Sequence, residues 1–419
     1  MKKLLVLLLL LCFGKAWGQN GVLYVDDVAS EGEVPASGFV LLQQHFHKYV
    51  DDRVLSGTSM LVSKGEQVRW DFYGMQNMET GTPMAKNTIF RLASMTKPIV
   101  SVAVMILVEE GKLSLDDEVP RFIPAFKKLR VYQSENKRVK PKSPITIRHL
   151  LSHTGGISSG FDPSPAGQIC SATMREQKPE SLEAIIEALA ETPLAFHPGE
   201  GWTYSYSTDV LAYIVEQVSG QPIDQFLNKR IFEPLKMKDT GFQVPAEKRH
   251  RFASLYAKGD EGQLKAIDTP ADSPYTNGTY FPRGNGGLTS TITDYYRFAK
   301  MLLNGGTFGD VRILKKETVD LMTANQLPKS LLPISIAGND LPGQGFGLGV
   351  GVLTEDPPFG SKGDYYWPGA AFTYFFVNPK EDLVGIFMTQ LSDMSKMHLI
   401  WEFHELAGKV FVREVLEED

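Results

Sequence analysis

The chain has 419 residues, 42% of them hydrophobic and 22% charged, with a formal net charge of −6. That is an ordinary globular composition, long enough for a large core and two lobes. It argues against nucleic-acid binding: the basic cluster Lys127, Lys128, Arg130, Lys137, Arg138, Lys140 and Lys142 is interleaved with Tyr, Pro and acid, as on a solvated loop.

Residues 1–18 read as a signal peptide, with Lys2 and Lys3 at its start, an apolar stretch over 4–13 and Ala16-Trp17-Gly18 as the cleavage site before Gln19. The apolar stretch is too short to span a bilayer. Cys12 follows Leu9-Leu10-Leu11 and lacks the small neighbour of a lipoprotein signal, so lipidation is not expected. The mature protein is expected to be exported, periplasmic or extracellular, with no stable membrane insertion after cleavage. Loss of a leader with three lysines and no acid takes the formal charge from −6 to −9. Cys170 is then the only cysteine, which leaves no intrachain disulfide. It sits in a polar, Pro/Gly-rich stretch and reads as a bystander.

From residue 38, Phe39, Leu41, Leu42, Phe46 and Val50 repeat with helical spacing. Residues 58–62 and 68–72, separated by Lys64-Gly65-Glu66, predict a β-hairpin. Residues 99–108 are apolar on every side apart from Ser101, the pattern of a helix inside a protein. Residues 127–143 read as a charged loop. Residues 145–156 predict a short helix ended by Gly155-Gly156. On it His149 and His153 share a face, but without an H-E-x-x-H acid they read as packing and loop-bracing groups, not metal ligands. Residues 157–180 read as a surface excursion and 181–189 as a helix. Residues 207–218 predict an amphipathic helix with Ser207 as N-cap and Gly220 behind its end. Ile223, Phe226, Leu227 and Ile231 continue the helical pattern. Residues 258–285 are loop-rich, and 293–303 predict a helix followed by Gly305-Gly306. Residues 346–353, 372–377 and 383–388 are β-rich, the last two joined by a turn over 378–382. A final helix carries Ile400, Phe403, Leu406, Ala407 and Val410 on one stripe.

Strands at both ends and helices in the middle predict an α+β fold: one antiparallel sheet covered by the N- and C-terminal helices, with a mainly helical lobe inserted. The expected division is 38–112 with 290–415 as an α/β domain and 113–289 as a helical domain with long loops, the active site lying between them.

Three stretches carry candidate chemistry. Ser94 and Lys97 stand three apart where the apolar helix begins, so the amine can reach the hydroxyl and activate it as a nucleophile. Tyr204, in the loop Gly201-Trp202-Thr203-Tyr204-Ser205-Tyr206-Ser207, can aim a phenol into a cleft, where a neighbouring ammonium favours its ionised form. Small residues in Trp367-Pro368-Gly369-Ala370-Ala371 can bring a backbone N–H close to a substrate, and with the Ser94 N–H this would make an oxyanion hole.

Together these motifs resemble the serine β-lactamase and penicillin-binding superfamily, and within it the class C and family VIII carboxylesterase branch. The resemblance runs over roughly residues 40–415. Ser94-x-x-Lys97 matches the nucleophile motif, Tyr204-Ser205-Tyr206 falls where the family has Y-x-N or Y-x-x, and Trp367-Pro368-Gly369 falls where lactamases have K-T-G and the esterases W-G-G or H-x-G. Supporting matches are 145–156, 196–199, 207–211, 286–288 and 345–349. The resemblance implies a Ser94 acyl-enzyme, with Tyr204 as general base in acylation and Lys97 holding it ionised, although the base in related S-x-x-K enzymes is disputed. It implies Ser94 and Ala370 as oxyanion donors, Tyr206, Trp367 and Gly369 as substrate-binding residues, and no cofactor or metal. Trp367 in place of the K-T-G lysine, and Tyr206 in place of the asparagine, remove polar recognition and favour a small ester or lipophilic acyl substrate. The rivals are a β-lactamase, a D-Ala-D-Ala carboxypeptidase, or a D-aminopeptidase or amidase. A non-catalytic penicillin-binding-like protein is disfavoured by the intact Ser94, Lys97 and Tyr204. The partner implied is a small acyl compound; the oligomeric state stays open.

Overall fold

A computed structural model describes residues 38–259 and 261–411; the leader and Cys12 lie outside the described residues. Five helices frame the molecule: α1 (Gly38–Asp51), α2 (Thr96–Glu109), α3 (Ser207–Ser219), α4 (Ile292–Leu303) and α5 (His398–Lys409). The main sheet has eight strands: β1 (Gly57–Lys64), β2 (Gln67–Asn77), β3 (Thr82–Pro83), β4 (Gln344–Phe346), β5 (Gly351–Leu353), β6 (Tyr365–Gly369), β7 (Thr373–Asn378) and β8 (Leu383–Met388). Their spatial order is β4-β5-β6-β7-β8-β1-β2-β3, antiparallel throughout. Both ends of the chain thus meet in one sheet, where Ser59 of β1 lies opposite Met388 of β8.

Strands β7 and β8 are buried at every position. They read as continuous apolar runs because both faces are covered. On one side α1 and α5 meet the sheet through Phe46, Phe387 and Phe403, whose rings lie 4.9–6.1 Å apart. On the other, Tyr295 of α4 packs 5.1 Å from Phe375. Helix α2 is buried from Thr96 to Leu107 and packs against α3, which explains why its sequence has no polar face.

Several local expectations are revised. Residues 157–180 are not all loop: Pro165–Gln177 is a helix, with Ser164 as N-cap and Pro165 in its first turn. Its weak amphipathicity hid it, and it carries Cys170 fully buried, with the thiol donating to the Ser158 carbonyl at 3.7 Å. Burial pushes that thiol up to about 12, so the thiolate is suppressed. The charged stretch 127–143 contains the hairpin strands Val131–Ser134 and Lys137–Val139, and 258–285 contains the end of another, Leu255–Lys258 with Leu264–Asp268. Leu41 turns outward from α1 and is exposed. Ser207 is the first helical residue of α3 and Tyr206 its N-cap, while Gly220 ends it in the left-handed region as expected. His149 and His153 do not share a helix face, because Ile147–Leu151 ends before His153. No helix among the described residues is long and apolar enough to cross a membrane.

Candidate active site

Ser94 is set at the exit of a short strand. Ile89–Arg91 pairs with Thr289–Thr291, and Leu92 N–H donates to the Leu288 carbonyl at 2.9 Å. The chain then turns sharply through Ala93, whose φ of +45° lies in the left-handed region that side chains disfavour. Ser94 follows, half-buried, on the 3₁₀ turn Ala93–Met95 that leads into α2. Three contacts fix this turn. Tyr295 donates to the Met95 carbonyl at 3.0 Å, Thr96 Oγ1 accepts from Leu288 N–H at 3.1 Å, and Thr373 Oγ1 donates to the Leu92 carbonyl at 3.0 Å. The end of β6 presses on the same place: a Cβ on Gly369 would collide with the Leu92 carbonyl oxygen. Ala370, the exposed turn residue, follows directly.

Lys97 lies one turn further along and is 1% exposed. Its Nζ donates to Ser94 Oγ at 3.1 Å and to the Asn285 carbonyl at 2.6 Å, and it stands 4.5 Å from the centre of the Tyr204 ring. The Tyr204 phenol oxygen accepts from Trp367 Nε1 at 3.3 Å. The backbone of Tyr204 is held by Ser159, which donates to its carbonyl at 2.6 Å.

Burial pushes Lys97 well below the usual lysine range; the Asp209 carboxylate works against that and Arg283 adds to it. Burial drives the Tyr204 phenol upward, and the hydrogen bonds from Ser94 and Trp367 oppose the rise without cancelling it. Both directions favour a resting pair of free amine and neutral phenol over ammonium and phenolate. A free Lys97 amine can accept a proton, and a serine hydroxyl must lose one to act as a nucleophile.

The supporting wall comes from residues that pattern reading left without a role in the chemistry. Asp209, fully buried in the first turn of α3, accepts from Arg283 Nη2 at 2.9 Å and from Asn285 N–H at 2.7 Å. An acid there reads in sequence as a helix-terminus charge, although its position beside a buried helical face was a signal. His153 packs its ring 5.2 Å from Tyr204 and 5.1 Å from Phe346, with Nδ1 3.0 Å from Ser205 Oγ. Burial pulls it down to about 3, so it is a neutral wall. Its φ of +56° and that of Phe372, +61°, match the left-handed turn at Ala93 and place three such residues around one site.

Trp367 is 2% exposed, its ring 5.3 Å from Tyr204, so its indole is a partner of that phenol. Gly369 is buried against the nucleophile turn, where its lack of a side chain sets the spacing. Tyr206 is half-buried, with the Arg283 guanidinium 5.9 Å from its ring. The open aromatic group is Phe161, 45% exposed and 5.8 Å from Tyr204. It lies in the stretch read as a surface excursion. Among the described residues no cluster of three His, Cys, Asp or Glu side chains is arranged to hold a metal.

The family model described as Beta-lactamase matches residues 42–408. Protein Rv1367c from Mycobacterium tuberculosis is 35% identical over 360 residues, covering 83% of this chain and 89% of the relative. Esterase EstB from Burkholderia gladioli is 30% identical over 369 residues, covering 82% of this chain and 88% of the relative. Among solved structures EstCE1, described as a hydrolase with promiscuous acyltransferase activity, superposes with a TM-score of 0.74 at 25% identity, covering 88% of this chain and 97% of its own.

Proposed function

The chain belongs to the Beta-lactamase family of serine hydrolases, and we propose that within it the protein is a carboxylesterase that cleaves small or lipophilic esters through an acyl-enzyme on Ser94. The observation that carries the ester preference is Trp367. The strand beside the nucleophile offers an indole committed to Tyr204 where lactamases and peptidases present a lysine to the substrate carboxylate. The apolar lining of Phe161 and Tyr204 supports the same reading, as does the relative named an esterase.

In the proposed cycle Ser94 Oγ attacks the ester carbonyl while its proton passes into the Lys97/Tyr204 pair. The carbonyl oxygen becomes an oxyanion, held by the backbone N–H groups of Ser94 and Ala370. The pair returns the proton to the departing alkoxide as the tetrahedral adduct collapses to the acyl-enzyme. Water then repeats the sequence: its proton enters the pair, its oxygen attacks, and the acid leaves as Ser94 is reprotonated. Trp367 and Lys97 stabilise whatever negative charge reaches the Tyr204 oxygen during transfer. Export through residues 1–18 is proposed as well, with a periplasmic or extracellular site of action; fractionation of the producing cells, with the 1–18 deletion retained in the cytosol, tests it.

Hydrolysis of p-nitrophenyl butyrate is set beside that of nitrocefin, with Ser94→Ala as control. Ser94-dependent turnover that is faster on the ester supports the proposal. Faster turnover of nitrocefin transfers it to the lactamase rival, and faster release of D-Ala from a D-Ala-D-Ala peptide to the peptidase. Absence of both turnover and labelling of Ser94 by a fluorophosphonate overturns the acyl-enzyme reading.

A further inference from the structure

Asp209 holds one tripeptide at two points. Its Oδ2 accepts from Arg283 Nη2 at 2.9 Å and its Oδ1 from Asn285 N–H at 2.7 Å. Gly284 between them lies flat on α3, where any Cβ would collide with the Thr208 carbonyl oxygen. The carbonyl of Asn285 accepts from Lys97 Nζ at 2.6 Å, and Lys97 reaches Ser94 Oγ at 3.1 Å. An unbroken line of contacts therefore runs from a buried carboxylate, five residues beyond Tyr204, to the nucleophile.

We propose that Asp209 and Arg283 are positioning residues for acyl transfer: their ion pair clamps the 283–285 segment so that the Asn285 carbonyl aims the Lys97 amine at Ser94, and it balances the charge beside that amine. This rests on the acyl-enzyme reading above and deepens it. A glycine-only contact with α3 and a single carboxylate gripping both ends make the segment rigid, and a rigid acceptor fixes the amine in one direction. Displacement of a catalytic group by about 1 Å costs on the order of a hundredfold in rate.

The groups that face Lys97 and its clamp are Tyr204 and Tyr206 from the loop before α3, Tyr280 from the segment before Arg283, His153 from the turn after residue 151, and Asp209 and Arg283 themselves. Burial keeps the three phenols and the His153 ring neutral. The fixed charges at this amine are thus one carboxylate and one guanidinium of opposite effect: Asp209 favours the protonated amine and Arg283 the free amine. Arg283 keeps 25% of its side chain exposed while Asp209 has none, so the pair is anchored on the acid.

The test uses pH profiles of kcat/KM on p-nitrophenyl butyrate, with the rate of fluorophosphonate labelling as a second readout, for the wild type, Asp209→Asn, Arg283→Gln, Arg283→Lys and the Asp209→Asn/Arg283→Gln double variant. Thermal melting confirms folding. The expected result is a fall in plateau kcat of about 10–100-fold for Asp209→Asn with KM little changed. The ascending limb moves to lower pH in Asp209→Asn, where Arg283 is left unbalanced, and to higher pH in Arg283→Gln. The double variant lies between them, and Arg283→Lys keeps the limb near its wild-type place. A purely structural pair would lower stability without moving the limbs in opposite directions. Single variants that move the same way, or do not move, overturn the proposal. If Asp209→Asn does not fold, Arg283→Gln decides: an upward shift supports the clamp and an unmoved limb overturns it. A wild type that neither turns over ester nor labels at Ser94 sinks the acyl-enzyme reading itself, a result distinct from any behaviour of the clamp variants.

Discussion

Strands β6 and β7 carry a polar network on each face, and only one of them is placed to do chemistry. Register sets Trp367 opposite Phe375 and Gly369 opposite Thr373, on the side of Ser94 and α4. Alternate residues point the other way. There Tyr374 lies 2.8 Å from His404 Nδ1, and His404 Nε2 lies 3.0 Å from Asp364 Oδ2. Acid, imidazole and hydroxyl in a row is an arrangement that catalysis uses. Here all three are 2% exposed or less, and His404 is stacked 3.7 Å from Phe376 under α5. The Ser94 face differs in two respects. Its serine, Ser94, is only half-buried, and its Lys97/Tyr204 pair is driven by burial toward a form that can still accept a proton. The α5 face offers a buried tyrosine whose phenol is held well above its ordinary range. A hydrogen-bonded row of the right residue types is therefore not a site unless a substrate can reach the hydroxyl.

The sharpest way to break this comparison is to remove one hydroxyl from each face. Ser94→Ala is expected to lower ester turnover by about 10⁵–10⁶-fold, to the background rate. Tyr374→Phe should leave kcat/KM within about twofold and lower stability by about 1 kcal/mol. A comparable loss of activity in Tyr374→Phe would show that the sealed network communicates with the cleft. The bases come next. Lys97→Met is expected to lower kcat about 10³-fold, whereas His404→Ala should cost about 3 kcal/mol of stability, from a cavity and the loss of two buried hydrogen bonds, with normal kcat per folded molecule. Urea unfolding monitored beside the ester assay separates the two kinds of damage.

Acid sharpens the contrast from another side. Burial lowers His149, His153 (to about 3) and His404 below their ordinary 6.5. Each binds a proton more readily in the unfolded chain, so folding is favoured above pH 6.5 and loses support as pH falls toward the folded values. The expected slope is at most about 1.4 kcal/mol per pH unit for each histidine in its window. Stability measured from pH 7 to pH 4 should fall steadily, and His404→Gln, if it folds, should fall less steeply. A flat profile would mean that these rings are hydrated in solution.

What the residue pattern could reveal divides along physical lines. Periodicity and turn chemistry are local, so β8, the hairpin of β1 and β2, and helix α2 were legible, whereas the cover that α4 gives the second face of the sheet depends on packing that no local pattern shows. Pro165–Gln177 was not, because its burial is confined to Ala166, Gly167 and Cys170 and leaves only a weak apolar face. At the site, Ser94, Lys97 and Tyr204 stand out because motif spacing is a property of the sequence. Asp209 and Arg283 stay silent until the fold brings residues 74 positions apart into contact. Trp367 is an intermediate case. Its lack of an ammonium is visible in the letters, but its commitment to Tyr204 depends on the pleat and register of β6.

That commitment leads to the smallest expected effect. Trp367→Phe keeps a ring against Tyr204 and deletes only the Nε1 donor, whose bond to the phenol oxygen is 3.3 Å long. A hydrogen bond of that kind is worth about 1 kcal/mol, which corresponds to roughly fivefold in rate. If the indole supports the phenol during proton transfer, the loss falls on kcat and KM for p-nitrophenyl butyrate is unchanged. If instead the indole contacts the acyl group, KM rises and the change grows with acyl length from acetate to octanoate. Trp367→Lys then asks the converse question. A gain in nitrocefin turnover together with a loss on butyrate would locate substrate choice at this position. Loss on both would assign Trp367 to the support of Tyr204 and leave the choice of acyl group to Phe161 at the mouth.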